Sequence, residues 1–214
     1  MLTIHFSNTE LNSLIALFKR LFLLKTKQII LFASGSGSNV ENIANYFKFS
    51  KDVTISCVLT NKSDAKVIER CNRLGLNALF FNRQAFSKSD FILNMLQSLK
   101  PDLIVLAGFL WKIPEAITDA FPNKIVNIHP ALLPKYGGKG MYGMNVHNAV
   151  KENKELETGI TIHYVNANYD EGAIIHQAKT IIERNDTAED IASKVHQLEY
   201  DFFPKIIEDL LSKM

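Results

Sequence analysis

The feature that most constrains the fold of this chain is a regular alternation of apolar runs with segments of helical spacing. Apolar runs predict buried strands at residues 28–34, 53–59, 78–81, 103–107 and 124–128. Between them, apolar residues recur at helical spacing over residues 39–47, 65–74 and 91–99. Strands that alternate with helices in this way are typical of βαβ units, so we predict a parallel sheet flanked by helices.

The pattern changes in the last third of the chain. Residues 160–165 and 173–181 alternate like half-exposed strands around a polar loop at 166–172, which predicts an antiparallel pair at the sheet edge. Thr187 with Asp190 predicts the cap of a long helix whose buried face contains Ile191, Val195, Leu198, Phe202, Ile206 and Leu210. We predict an α/β fold: a single doubly wound, mostly parallel sheet flanked by helices, with an antiparallel C-terminal strand pair and a long C-terminal helix.

The first 26 residues are interpreted as a separate N-terminal extension. Ser7 followed by Glu10 predicts a capped amphipathic helix. The apolar stretch at 11–24 is interrupted by Lys19 and Arg20, is too short to span a bilayer and lacks the order of a signal peptide. Attachment to a membrane surface is the alternative. We therefore divide the chain into an extension, residues 1–26, and one domain, residues 27–214.

Composition narrows the class of partner. The chain is 47% apolar, which is enough for a substantial core. Its net charge of +2 does not indicate the excess of basic residues that is typical of nucleic-acid-binding domains. The two cysteines, Cys57 and Cys71, form neither a metal-binding pair nor a disulfide framework. We expect reduced thiols in the cytoplasm, no metal, no nucleic acid and no membrane partner.

The segment from Ser34 to Asn39, SGSGSN, directly follows the first predicted strand and opens the first predicted helix. A helix N-terminus offers free N–H groups and a partial positive charge to an anion, and glycine lets the backbone approach the ligand closely. The third glycine of the dinucleotide fingerprint and the lysine of the P-loop are both missing, which favours a phosphate monoester over NAD or ATP. A tight strand–helix turn without a ligand is the alternative.

Polar side chains follow the later strands. Asn127 and His129 end one predicted strand and, at a spacing of two residues, lie on the same side of it. Asp170 occupies the loop of the antiparallel pair. A His–carboxylate pair would raise the pKa of the histidine and favour an imidazolium that stabilises an oxyanion. Each residue alone also fits a structural role, His129 as a hydrogen-bonded strand end and Asp170 as part of an ordinary hairpin turn.

At these residues the sequence resembles the folate-dependent phosphoribosylglycinamide formyltransferases of purine biosynthesis. The matching segments, in the order of the family, are residues 34–39, 106–109, 127–136, 159–165 and 169–172. The resemblance implies a cytoplasmic enzyme that transfers the formyl group of 10-formyltetrahydrofolate to the amine of 5'-phosphoribosylglycinamide (GAR) in the synthesis of IMP. It also implies that Asn127 and His129 bind the developing negative charge and that Asp170 organises proton transfer.

The resemblance further implies two sets of binding residues. The expected GAR site consists of Gly35, Ser36, Gly37, Ser38, Asn39, Lys135, His163 and Glu199. The expected folate site consists of Leu106, Gly108, Phe109, Leu110, Trp111, Ile113 and Val165. For Glu199, a solvated acid on the helix surface is the alternative. The chain departs from the family at Trp111, where a cationic residue is common, and at residues 137–145, which are longer and richer in glycine.

Three other functions fit parts of this pattern. Methionyl-tRNA formyltransferases resemble the core but carry a further C-terminal domain, and formyltetrahydrofolate deformylases carry an N-terminal regulatory domain; we expect neither domain here. A non-catalytic ligand-binding protein would keep the phosphate turn but would not need Asn127, His129 and Asp170 together. The sequence leaves open whether the protein is a monomer or a homodimer.

Overall fold

The computed structural model describes residues 26–214, and the predicted N-terminal helix lies outside them. Seven strands form one sheet in the order β3-β2-β1-β4-β5-β6-β7. Strands β1 to β5 pair in parallel, whereas β6 and β7 are antiparallel. The predicted architecture is therefore confirmed. The strands are β1 (Lys27–Ala33), β2 (Val53–Thr60), β3 (Ala78–Phe80), β4 (Leu103–Leu106), β5 (Ile125–His129), β6 (Glu157–Tyr164) and β7 (Ile174–Ile181).

The described helices are α1 (Ser38–Phe47), α2 (Val67–Leu74), α3 (Arg83–Ser87), α4 (Phe91–Leu99), α5 (Glu115–Ala120), α6 (Met144–Glu152) and α7 (Ala188–Ser212). The sequence pattern predicts α1, α2, α4 and α7 but not the other three. With five and six residues, α3 and α5 are too short to show a helical period. Helix α6 buries only Val146, His147 and Val150, so its apolar face is too narrow to be recognised. None of the helices in residues 26–214 has both the length and the apolar character to cross a membrane.

The sheet separates two apolar cores, and the alternation of side chains along β1 supplies both. Ile29 and Leu31 pack on the face covered by α1, α2, α6 and α7. Ile30 and Phe32 pack on the opposite face, under α3, α4 and α5. All four side chains are almost fully buried, and each such burial stabilises the fold by about 1.5–3 kcal/mol. A strand that is apolar on both sides therefore lies at the centre of the sheet.

Helix α7 begins at the predicted cap, since the Asp190 N–H donates to Thr187 Oγ1 and the Thr187 N–H donates to Asp190 Oδ2. The prediction of its buried face is partly wrong. The buried ridge recurs every four residues from Ile191, whereas the predicted positions mix spacings of three and four residues. Phe203 and Ile207 are buried, while Leu198, Phe202 and Ile206 are only partly so. The buried ridge consists of Ile191, Val195, Glu199, Phe203, Ile207 and Leu211.

Gly159 is required by the close approach of β6 and β7. A Cβ atom at this position would overlap the carbonyl oxygen of Ala178 and crowd the side chain of Leu132. We expect Gly159→Ala to lower the free energy of unfolding by about 2 kcal/mol, as measured by urea denaturation, because the two strands must move apart. Leu156→Ala, at a side chain that is 81% exposed, is the control. Equal midpoints for wild type and Gly159→Ala would contradict this explanation.

Candidate active site

The carboxyl ends of β1, β4 and β5 open on one cavity of ≈ 680 Å³. The strand order reverses between β1 and β4, because β1 leads outward to β2 and β3 while β4 leads to β5. Doubly wound sheets bind ligands at such a switch point. The other walls come from the loop after β5, the β6–β7 loop and helices α6 and α7. The volume suits a small-molecule ligand.

The turn at residues 34–39 forms one part of the cavity wall. Gly37 has φ 75°, and its carbonyl oxygen accepts a hydrogen bond from the N–H of Glu41 in the first turn of α1. A Cβ atom on Gly37 would overlap the Val67 side chain, so both the conformation and the space favour glycine. Lys62 lines the same cavity. The N-terminus of α1 and this lysine together provide positive potential for an anion.

Asn127, His129 and Asp170 converge on the same cavity. The first two lie on β5, and Asp170 belongs to the β6–β7 loop, where its φ of 55° is left-handed. Asp170 Oδ2 lies 3.6 Å from Nδ1 of His129. The arrangement brings an amide, an imidazole and a carboxylate together, which is the combination expected from the sequence.

His163 lies behind Asn127 and orients it. Nδ1 of His163 donates to the Tyr164 carbonyl oxygen at 2.8 Å, because a carbonyl can only accept. In the neutral ring, Nε2 is then the acceptor for the Asn127 amide at 3.1 Å. One N–H of the amide is thus held by His163, and the second is free to point into the cavity.

His129 is buried, and its pKa lies below the ordinary value of 6.5, so the ring is neutral at pH 7. Burial lowers the pKa of His129, and the opposing effects of Asp170 and of the Tyr136 carbonyl oxygen are smaller. The expected rise in this pKa is therefore wrong, because desolvation outweighs the carboxylate. Nε2 donates to the Tyr136 carbonyl oxygen at 2.7 Å, so Nδ1 is the unprotonated nitrogen and faces Asp170.

Asp170 remains a carboxylate although it is mostly buried. Burial raises the pKa of Asp170, but the imidazoles of His163 and His129 and the N–H of Gly138 together outweigh it and hold the pKa below its usual range. The Gly138 N–H donates to Oδ2 at 2.9 Å. A neutral imidazole thus lies beside a negative charge, an arrangement that can accept a proton.

Glu199 is a buried acid on α7 and is only 6% exposed. Its Oε2 accepts a hydrogen bond from Asn39 Nδ2 at 2.8 Å and lies 3.9 Å from Nε2 of His196. Burial raises the pKa of Glu199, although Asn39 and His196 oppose this effect. The alternative of a solvated surface acid is wrong, because Glu199 lies on the buried ridge of α7 and lines the cavity.

His147 of α6 also lines this cavity, although no sequence signal pointed to it. Its side chain is buried, and its Nδ1 has no hydrogen-bond partner among the residues that the structure describes. Burial, together with the neighbouring His196 and His129, lowers the pKa of His147 to about 4. The imidazole is therefore neutral at pH 7.

The expected folate residues divide into two layers. Gly108, Phe109 and Leu110 line the cavity. Trp111 packs behind them against a cluster of phenylalanine rings, and the guanidinium of Arg83 lies 4.0 Å from the centre of the Trp111 ring. A positive charge is thus present next to Trp111 on a neighbouring element. The cavity lining does not include the remaining expected residues, which pack in the apolar core behind it: Leu106, Ile113 and Val165.

Two expected GAR residues do not line the cavity. Lys135 is exposed on the surface, where its Nζ donates to Glu155 Oε1 at 2.9 Å. His163 contacts Asn127 and Asp170 from behind. Conversely, Lys62 and Tyr169 line the cavity but were not expected there, and the glycine-rich segment 138–143 lines it as well. Lys62 follows the carboxyl end of β2 by two residues, which is the signal that could have revealed it.

The family model for formyl transferases matches residues 27–207 of this chain. The phosphoribosylglycinamide formyltransferase of Haemophilus influenzae is 37% identical over 188 residues, which cover 85% of this chain and 86% of that protein. The chloroplastic phosphoribosylglycinamide formyltransferase of Arabidopsis thaliana is 36% identical over 191 residues, which cover 86% of this chain. The match spans only 65% of the length of the plant relative.

A solved structure agrees with these similarities. The crystal structure of glycinamide ribonucleotide transformylase 1 from Symbiobacterium toebii superimposes with a TM-score of 0.80 at 30% sequence identity. The superposition covers 88% of this chain and 89% of that one. The similarity in structure therefore extends over most of this chain.

The neutral state of His147 predicts how stability depends on pH. Its pKa falls from about 6.5 in the unfolded chain to about 4 in the folded protein, so its contribution is complete above pH 6.5 and is lost as the pH falls towards 4. We expect the free energy of unfolding of wild type to decrease over this window by up to about 3 kcal/mol more than that of His147→Leu. Urea titrations at pH 7, 5.5 and 4.5 measure the difference. Parallel pH profiles would contradict a neutral buried His147.

Proposed function

Because the chain belongs to the formyl transferase family, we propose that it transfers the formyl group of 10-formyltetrahydrofolate to the amine of GAR, releasing formyl-GAR and tetrahydrofolate. Proteins that match this chain over most of its length are named phosphoribosylglycinamide formyltransferases. The observation that carries the proposal is that Asn127, His129 and Asp170 converge on the same cavity as the turn at residues 34–39.

The turn at residues 35–39 binds the phosphate of GAR. Its backbone N–H groups lie at the N-terminus of α1, where the helix dipole favours a dianion, and Ser38 adds a hydroxyl donor. Lys62 contributes a positive charge from the carboxyl end of β2. Glu199 and Asn39 bind the substrate next to the phosphate through the buried carboxylate–amide pair.

The pterin of the folate lies along Gly108, Phe109 and Leu110, which line the cavity with a glycine backbone and two apolar side chains. The amine of GAR then meets the formyl carbon inside the cavity. Holding both reactants in one orientation contributes several kcal/mol to the lowering of the barrier. No metal takes part in the proposed reaction.

The chemical step replaces one C–N bond by another. The amine attacks the formyl carbon, and the carbonyl oxygen becomes an oxyanion that accepts a hydrogen bond from the second amide N–H of Asn127 and is stabilised by the positive charge that develops on His129. The proton that the amine loses passes to Nδ1 of His129, where Asp170 stabilises the imidazolium at 3.6 Å. The C–N10 bond then breaks, N10 takes the proton from the His129 imidazolium, and tetrahydrofolate leaves while the ring returns to its neutral form.

Three features of the sequence interpretation stay predictions. They are the separation of residues 1–26 from the domain at 27–214, the cytoplasmic location, and a monomeric or homodimeric state. The same is true of the absence of a nucleic-acid partner.

The proposed function is tested by turnover and by two variants. Formation of tetrahydrofolate should require both GAR and 10-formyltetrahydrofolate in a spectrophotometric assay. We expect His129→Ala and Asp170→Asn each to lower kcat about 10²–10³-fold with little change in either KM, because both residues act mainly on the transition state.

Asp209→Asn, at an exposed surface pair with Lys213, is the matched control for a lost carboxylate. An unchanged kcat in Asp170→Asn would overturn its catalytic role. Release of formate without GAR would instead identify a hydrolase, and absence of any turnover would overturn the proposed function.

The phosphate site is tested by adding a negative charge to the turn. Ser38→Asp should weaken GAR binding at least about tenfold in isothermal titration calorimetry, because the new carboxylate repels the phosphate at close range. Folate binding should change little. Ser98→Asp, on the exposed surface of α4, controls for the added charge. If folate binding alone became weaker, the assignment of the turn to the phosphate would be wrong.

A further inference from the structure

One flank of helix α4 leaves large apolar side chains exposed. Ile92 and Leu96 point into the core, while Phe91, Met95 and Leu99 recur at four-residue spacing along the flank. Phe91 is 58% exposed and Leu99 is 42% exposed. A single exposed apolar residue is ordinary on a protein surface, but a continuous apolar stripe indicates a contact with another element or partner.

The same flank of α4 faces the outer strands β2 and β3. Helix α4 connects β3 to β4, and a right-handed crossover between parallel strands turns this flank towards β2 and β3. Leu79 of β3 pairs with the core residue Leu59 and projects to the same sheet face, where it is 39% exposed. Cys57 of β2 also packs on this face and is half-buried. Five side chains therefore line the α4 groove: Cys57, Leu79, Phe91, Met95 and Leu99.

The chain before β1 leaves the sheet beside the α4 groove. The Gln28 N–H donates to Asp102 Oδ2 at 2.8 Å, and Asp102 follows Leu99 by only three residues. The Gln28 side chain, which alternation along β1 places on the same face as Ile30, donates to the Thr26 carbonyl oxygen at 3.2 Å. Thr26 is thus tied to the side of the sheet that carries the groove, near the end of α4.

Residues 1–25 lie outside the described part of the chain, and their sequence offers an apolar face of matching size. A helix over residues 11–24 would be about 21 Å long, and the stripe on α4 extends over about 12 Å. Residues 25–26 then suffice to reach β1, because connections between a helix and a strand commonly have about two to six residues. The apolar positions of the segment recur at helical spacing: Leu11, Leu14, Ile15, Phe18, Leu21 and Phe22.

We propose that the α4 groove binds residues 11–24 of the same chain as an added outer helix. Because the segment is covalently attached beside the groove, it meets the groove at a high effective concentration that a separate partner lacks. Its polar residues Asn12, Lys19 and Arg20 lie on the opposite side of the helix and face solvent. None of the groove residues lines the cavity, so the inference does not depend on the proposed function.

Protection of engineered cysteines in the full chain tests the inference. Alkylation by iodoacetamide is located by peptide mass spectrometry, and each rate is divided by that of the same cysteine in urea. We expect Leu99→Cys and Phe91→Cys to react at least about tenfold more slowly than Ser98→Cys, an exposed position on the same helix, because the docked segment must open first. Adding Phe18→Asp should abolish this protection, since a carboxylate in the apolar face opposes docking. Asn12→Asp, which adds the same charge on the polar side, should preserve it.

Three results would overturn the inference. Equal rates at the groove and control positions would show an open groove. Protection that persists with Phe18→Asp would identify another occupant, and a rise of this protection with protein concentration would identify a second copy of the chain. Sedimentation of wild type with anionic phospholipid vesicles, together with unprotected groove cysteines, would assign the segment to a membrane surface. Circular dichroism checks the fold of each variant, and the two groove positions provide independent readings.

Discussion

The geometry of the cavity depends on keeping one mostly buried carboxylate charged. Asp170 lies between the imidazoles of His129 and His163 and accepts the N–H of Gly138. Burial raises the pKa of Asp170, and these partners together outweigh that effect. The same contacts join the β6–β7 loop to β5, β6 and the loop after β5. The loop must return tightly to bring Asp170 there, and a Cβ atom on Gly172 would overlap the Tyr164 carbonyl oxygen.

The register of the sheet positions the residues around this carboxylate. Asn127 and His163 lie directly opposite each other in the antiparallel pair of β5 and β6. Opposite residues of such a pair project to the same face with Cβ atoms about 4.5–5.5 Å apart, so the amide and the imidazole meet without help from a flexible loop. The change from parallel to antiparallel pairing at β6 thus has a chemical consequence. It supplies a rigid support for the amide group that faces the cavity.

Local patterns were sufficient to predict the strand–helix order, the turn before α1 and the shared side of Asn127 and His129. They were not sufficient for properties that arise from tertiary packing. His147 was missed because α6 has too few apolar residues to be recognised. Lys135 matched a family motif, yet it pairs with Glu155 on the surface. The pKa of His129 changes in the direction opposite to the expected one, since pairing with Asp170 is visible in a sequence pattern and burial is not.

The lowered pKa of His129 is consistent with the proposed formyl transfer. A histidine whose pKa had been raised would already carry a proton at neutral pH and could not take one from the amine. The unprotonated Nδ1 faces Asp170, so the ring can accept a proton where the resulting imidazolium gains an ion pair. The positive charge of the imidazolium then stabilises the oxyanion. Before the reaction, burial favours the neutral ring of His129. During the reaction, Asp170 favours the imidazolium. The same residue can therefore take the proton from the amine and give it to the leaving group.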